Sequence, residues 1–214
     1  MERQLIFEDA SFSILAMTFA DIDNVVVLHG PLTRLTDDEF FDVCQHNPDL
    51  RLERNAEHEI VFMPPAGAES SRKSNEVLFQ LTLWNRQQQL GYVFESSAGF
   101  TLPDGSIRSP DASWVPKAAY DALTEAQRLR FPPVCPTFVV EVRSPSDGLA
   151  PLRRKMETYL ANGVQVGFLL DPTNETATIY RPGQEPEEIS SFDTMLNAEP
   201  ALPGFTLDLR PLRR

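Results

Sequence analysis

The sequence predicts an α/β domain built on a mixed β-sheet. Helical 3.6-residue apolar spacing alternates along the chain with short β-branched runs. The elements follow in the order helix, strands, helical excursion, strand, helix, strand, strand, which is the order of an α/β fold. Near the end, two apolar strands flank one helix as a βαβ crossover, and such a crossover is parallel and right-handed. The chain has 214 residues, 42% of them hydrophobic. That is enough for one domain with a buried core. The expectation is a single domain over 1–214, with 1–50 an N-terminal accessory segment and the core at 51–209.

Each element has its own local reason. Val25 to Leu28 is an apolar run in an otherwise weakly patterned start. Thr36 followed by Glu39 is a capping box, so a short helix starts there and ends near Asn47-Pro48. Leu50–Glu53 and Ile60–Met63 flank the polar turn Asn55–Glu59 and read as a hairpin. Ser70 or Ser71 opens a long helix to about Gln89. Its apolar positions are Val77, Leu78, Leu81 and Trp84, and Gly91 reads as its C′ residue. Tyr92–Glu95, Gly99–Leu102 and Ala112–Val115 read as strands, with an Asp104-Gly105 turn between the last two. Thr124 and Gln127 form a second capping box. Phe138–Arg143 is apolar and β-branched, a buried central strand. Pro151 suits the first position of the next helix and Gly163 its C′ residue. Val164–Leu170 and Thr176–Tyr180 are further strands, and Phe192 and Phe205 anchor closing elements.

Composition excludes several classes. Lys plus Arg number 19 against 31 Asp plus Glu, a net charge of −12. A chain that coats nucleic acid without specificity needs a basic field, which this chain lacks. Local basic grooves remain compatible with it. Cys44 and Cys135 give no disulfide framework, and His29, His46 and His58 are scattered, so a structural zinc site is not expected. Met1–Ala20 is broken by acids and does not read as a signal peptide. No apolar run approaches a membrane span. The expected location is cytoplasmic.

Four side chains invite chemistry. Glu141 lies inside the apolar strand, where a carboxylate needs a cation, a metal or hydrogen bonds. It shares its strand face with Arg143, so a structural Glu141–Arg143 pair at a sheet edge is the competing reading. Asp111 follows Ser109-Pro110 at the head of a strand, where a turn acid is common. Lys155 stands beside the buried stripe Leu152, Met156, Tyr159, able to lean over the sheet edge or to snorkel into solvent. Glu76 borders the apolar stripe of the long helix, where a surface acid is the plain alternative. Together they form a set suited to metal-assisted phosphodiester hydrolysis: oxygen ligands for Mg²⁺, and an ammonium to orient water or steady charge.

The series Pro110-Asp111, then Glu141-Val142-Arg143, resembles the PD-(D/E)XK nuclease superfamily. The longer run Phe138 to Asp147 is similar to the signature strand of the Uma-type family of restriction endonuclease-like bacterial proteins. Lys155-Met156, Tyr159, Asn162-Gly163-Val164, Leu170-Asp171-Pro172 and Ile179 to Gly183 continue the likeness. So do Asn75-Glu76, Trp84-Asn85, Gly99-Phe100 and Arg108-Ser109 upstream, so that it covers residues 34 to 209. The resemblance implies a restriction endonuclease-like core and a nuclease that uses Mg²⁺ or Mn²⁺. It implies Asp111, Glu141 and Glu76 as metal ligands. The superfamily pattern expects lysine two residues after the glutamate, where this chain has Arg143. Arginine is not deprotonated in proteins and cannot serve as a base. It can still hold charge or orient phosphate, so either Arg143 or Lys155, the ammonium that the resemblance offers from the following helix, fills the cation role, with Glu76 and Arg143 expected to assist.

The leading expectation is therefore an endonuclease that hydrolyses DNA phosphodiester bonds with a metal-activated water, the 3′ oxygen leaving. A homodimer is expected with it, since two-fold pairs serve to cut both strands. The competing expectation is a nuclease fold without catalysis, used for binding or assembly. A third is a phosphoryl hydrolase for a small substrate, which would need a narrow pocket.

Overall fold

The computed structural model describes residues 18–22, 25–29 and 34–213. The expectation of no signal peptide in Met1–Ala20 falls almost wholly outside them. In chain order the elements are β1 (Thr18–Ile22), β2 (Val25–His29), α1 (Asp37–His46), β3 (Arg51–Arg54), β4 (Ile60–Met63), α2 (Ala68–Gln88), β5 (Gly91–Glu95), β6 (Phe100–Thr101) and β7 (Ile107–Arg108). There follow β8 (Ala112–Pro116), α3 (Lys117–Asp121), α4 (Glu125–Arg128), β9 (Phe138–Val142), α5 (Leu149–Ala161), β10 (Val166–Asp171), β11 (Thr176–Tyr180) and β12 (Glu187–Ile189). The hairpin β13 (Met195–Asn197) and β14 (Thr206–Asp208) and a 3₁₀ turn at Arg210–Leu212 close the chain.

The mixed sheet is there, in the order β12-β11-β10-β9-β8-β5. Within it β9 and β10 run parallel and the other pairs antiparallel, with α5 as the connection between β9 and β10. Period-2 alternation divides its side chains between two helices. Trp114, Phe138, Val140 and Phe168 face Val77, Leu81 and Trp84 of α2, together with Phe205 and Leu207 from the closing hairpin. Val115, Val139 and Leu169 face Met156 and Tyr159 of α5. The central strand β9 is buried along its whole length, as its composition requires.

The strands do not all join one sheet. A second six-stranded sheet has the order β1-β2-β4-β3-β7-β6. Its core is Phe40 of α1 against Leu52, Ile60 and Ile107. The Asp104-Gly105 turn joins β6 to β7, a two-residue strand that the sequence reading missed, rather than joining a strand to β8. Pro110 then has no N–H to give to a ladder, and the chain passes between sheets at Ser109-Pro110-Asp111. Both capping boxes form. Arg54, fully buried, ties this sheet together: it ion-pairs with Asp37 and donates to the carbonyls of Leu35 (3.1 Å) and Gly105 (3.0 Å).

Two helix ends differ from expectation. The residue in the left-handed region after α2 is Gln89, φ 57°, whose N–H bonds the Asn85 carbonyl at 2.7 Å. Gly91 belongs to β5 instead, because a Cβ there would lie 2.3 Å from the Val115 carbonyl oxygen and 2.4 Å from the Trp114 ring. Gly91→Ala is accordingly expected to destabilise by about 3 kcal/mol, because a backbone oxygen cannot give way as a flexible side chain can. Denaturant unfolding checks this; a loss below about 1 kcal/mol would refute the packing argument. Helix α5 starts after Gly148, which puts Pro151 at its third position rather than its first. Any position in the first turn suits proline, since those N–H groups have no intrahelical partner. Gly163 follows the Asn162 cap with φ 114°, as the sequence predicts.

Candidate active site

The β8–β9 register pairs Ala112 with Val140. One step further it sets Asp111 across from Glu141, on the α5 side of the sheet. Facing residues of neighbouring strands hold their Cβ atoms about 5 Å apart. The Val142 N–H fixes Asp111 by donating to Oδ2 at 2.7 Å. Glu141 is 4% exposed. Above it, Lys155 and Tyr159 stand one helical turn apart on α5. The Lys155 ammonium lies 2.8 Å from Glu141 Oε1, and the Tyr159 hydroxyl donates to the same oxygen at 2.9 Å. The ammonium also stands 5.8 Å from the centre of the Tyr159 ring.

A further carboxylate completes the group. Glu53 comes from β3, in the second sheet, and is buried. Its Oε1 lies 2.8 Å from the Lys155 ammonium and accepts the Ser109 N–H at 2.8 Å. Its Oε2 meets Arg108 at 3.1 Å. Glu53 thus pins the crossing segment two residues before Asp111 and shares Lys155 with Glu141. The sequence reading recognised the hairpin strand but passed over Glu53. Little in the sequence marked it: Arg51-Leu52-Glu53-Arg54 is a short, charge-rich strand, unlike the apolar run that singled out Glu141.

Electrostatics separate the three acids. Burial pushes Glu141 up to about 7; Lys155 opposes the rise, while the nearby charges of Asp111 and Glu53 add to it. Asp111 is raised too, mainly by burial. Burial would also raise Glu53, but Lys155, Arg108 and the Ser109 N–H outweigh it and hold this carboxyl below its ordinary value. Burial would lower Lys155, yet Glu141 and Glu53 outweigh it, so the ammonium stays charged. Burial and the two glutamates drive the Tyr159 hydroxyl well above its usual range, so it remains a donor. Three carboxylates thus face two cations, Lys155 and Arg108.

The group opens on a cleft of about 690 Å³ between the two sheets. Asp111, Glu141, Glu53 and Lys155 line it, with Arg51 and Arg154 among the cations on its walls. Two sequence-named residues stand apart. Arg143 is engaged elsewhere, 2.7 Å from Asp171 Oδ2 and donating from Nε to the Asp147 carbonyl at 3.0 Å. A Glu141–Arg143 pair does not form, because β9 ends at Val142 and the next side chain turns to the end of β10. Glu76 is not brought into the cleft either. The α2 residues that line it are Ser70 and Ser74, and Glu76 lies about 200° round the helix from Ser74. Its carboxylate accepts from Gln80 at 3.0 Å instead. Cys135 does not line the cleft, and burial, with the Asp104 charge, pushes its thiol up to about 11.

Residues 37–210 match the family model Uma2, described as "Putative restriction endonuclease". Among solved structures, the chain is similar to that of a putative nuclease belonging to DUF820 from Anabaena variabilis. The TM-score is 0.69 and the identity 22%, over 83% of this chain and 97% of that one. At that identity the likeness concerns the fold. No curated protein matches the chain.

Proposed function

The chain belongs to the Uma2 family of restriction endonuclease-like proteins, and on that premise we propose that the cleft hydrolyses DNA phosphodiester bonds with the help of Mg²⁺ or Mn²⁺. The observation that carries this reading is the juxtaposition of Asp111 and Glu141 on adjacent strands beneath the Lys155 ammonium.

The donor set suits a hard divalent cation. Among the described residues, no three His, Cys, Asp or Glu side chains are already gathered as a metal cage. Mg²⁺ does not need one: one or two carboxylates hold it, and waters supply the rest of its shell. Asp111 and Glu141 would hold it, and the excess of three carboxylates over two cations favours an added cation. Once bound, such an ion supplies Lewis acidity toward a phosphoryl oxygen and makes water more acidic. The chain's own residues do the remaining work. Lys155 keeps a fixed positive charge beside the reacting phosphate. Tyr159 holds Oε1 of Glu141 toward α5. Glu53 and Arg108 fix the segment that carries Asp111. Glu76 and Arg143 are assigned no part, since neither lines the cleft.

Calorimetric titration of Mg²⁺ and Mn²⁺ tests this reading, run beside supercoiled-plasmid nicking on the same samples. The wild type should bind metal and nick. Asp111→Asn and Glu141→Gln should each lose both, with a fall in nicking of at least about 10²-fold. Absence of metal binding by the wild type at millimolar concentration would refute the catalytic reading. Metal binding without nicking would favour a fold kept for binding DNA.

Among the described residues no helix is long and apolar enough to cross a membrane. A cytoplasmic location and a homodimer belong to the proposal, and sedimentation of the purified protein tests the dimer.

A further inference from the structure

Arg51 stands in a position that the reaction proposed above leaves unused. It lies two residues before Glu53 on β3, so both side chains leave the strand on the same face, toward the cleft. Glu53 is buried at the inner end of that row, and Arg51 is exposed at the outer end. The guanidinium is held in place: its Nη2 donates to the Ser96 carbonyl at 2.6 Å, in the loop after β5. It is close enough to Asp111 for its charge to favour the ionised carboxylate.

The other cations differ in one respect. Arg108 and Lys155 are both committed to Glu53, and Lys155 to Glu141 as well. Arg51 bonds a neutral carbonyl, and among the described residues no carboxylate lies within ion-pairing distance of it. No ion pair therefore engages its charge, in a chain whose net charge of −12 repels DNA. A planar guanidinium with one N–H anchored still presents its remaining donors in a fork that fits phosphate oxygens. Ser96 and Ser97 on the tethering loop, and Ser144 and Ser146 across the cleft, add neutral hydroxyls to the same walls.

We propose that Arg51 is a phosphate-binding residue that clamps a nucleic-acid backbone phosphate at the mouth of the cleft, beside the one at Asp111. This rests on the nuclease reading for its location but not for its test. Binding of a labelled DNA duplex would be followed by fluorescence anisotropy over a range of salt, with Ca²⁺ in place of Mg²⁺. Comparison would be between wild type, Arg51→Gln and Arg51→Lys, with calorimetric Mg²⁺ titration of each.

Arg51→Gln should weaken DNA binding about tenfold at low salt and make the log–log salt slope shallower by about 0.9, the loss of one phosphate contact. Arg51→Lys should keep the slope, because the charge remains, while losing part of the affinity. All three should still bind Mg²⁺, since Arg51 makes no ion pair with either proposed metal ligand. An unchanged slope in Arg51→Gln, or no salt-dependent DNA binding by the wild type, would overturn the assignment. So would loss of Mg²⁺ binding in Arg51→Gln, which would place its action on Asp111 rather than on phosphate. Failure of the nuclease reading looks different: the wild type would bind no metal, while the salt slopes would still decide the role of Arg51.

Discussion

Replacing Lys155 with methionine is expected to destabilise the fold by about 3–5 kcal/mol at mildly alkaline pH and to reduce nicking at least about 10²-fold. The stability loss follows from burial. Lys155 is 9% exposed and is the shared counter-ion of Glu53 and Glu141. Removing one partner of a buried pair strands the other charges, which costs far more than the intact pair contributes. The pH dependence has a definite sign. In the wild type, Lys155 is raised, so its contribution is complete below its ordinary value and fades only in strong alkali. Glu53 is lowered, so its contribution holds above its ordinary value and is lost in acid. In Lys155→Met both glutamates lose the cation that opposed their burial. Their folded values then rise, and a raised carboxyl stabilises at low pH and ceases to do so as pH climbs through it. The deficit should therefore be greatest above neutrality and shrink toward pH 5. Chemical denaturation of both proteins at about pH 5 and about pH 8 would measure it. A deficit that grows in acid would contradict the assignment. The double variant Lys155→Met, Glu53→Gln should recover part of the loss, since it removes one stranded charge.

Mg²⁺ affinity should rise about a hundredfold between pH 5 and 7 and then level off. A metal ion displaces the proton from a carboxyl that holds one, so affinity climbs about tenfold per pH unit for each proton displaced. Glu141 goes from the ordinary 4.5 to about 7, which sets this window. Asp111 is raised as well and steepens the acid end. Calorimetry in buffers of different ionisation enthalpy would count the protons released, about one per ion at pH 6 and few at pH 8. An affinity flat over that range would show that Glu141 is not a ligand. Glu141→Gln should leave no Mg²⁺ binding at any pH in this range.

Most secondary structure was legible in the sequence because it rests on local chemistry. The capping boxes at Thr36 and Thr124, the apolar stripe of α2 and the β-branched run of β9 each specify their element within a few residues. The division into two sheets was not legible in that way. It depends on where Ile107 and Arg108 find their partners, and two residues carry too little pattern to show it. Asp111, Glu141 and Lys155 come together because strand register and helix face bring them there, and both periodicities can be read from sequence. Glu76 was named for its place beside the apolar stripe of α2 and Arg143 for sharing a strand face with Glu141, and the resemblance then gave both a role. The fold separates them because α2 turns Ser70 and Ser74 to the cleft, and because Asp171 and the Asp147 carbonyl hold Arg143. Glu53 escaped notice for the opposite reason. Its partners lie 55 or more residues away in the chain, in Arg108, Ser109, Glu141's neighbour Lys155 and the sheet junction.

The separation of these partners has a consequence for the life of the chain. A ribosome releases Glu53 first, Asp111 and Glu141 well after it, and Lys155 later still. The hairpin that bears Glu53 can form early, but its carboxylate meets Lys155 only when β9 and α5 have been made and the two sheets have docked. A half-made or half-unfolded chain thus holds scattered acids rather than a working centre. For a protein whose proposed chemistry would injure the cell's own genome, completion of folding is itself a safety catch, and proteolysis or heat that parts the sheets disarms the molecule before it destroys it.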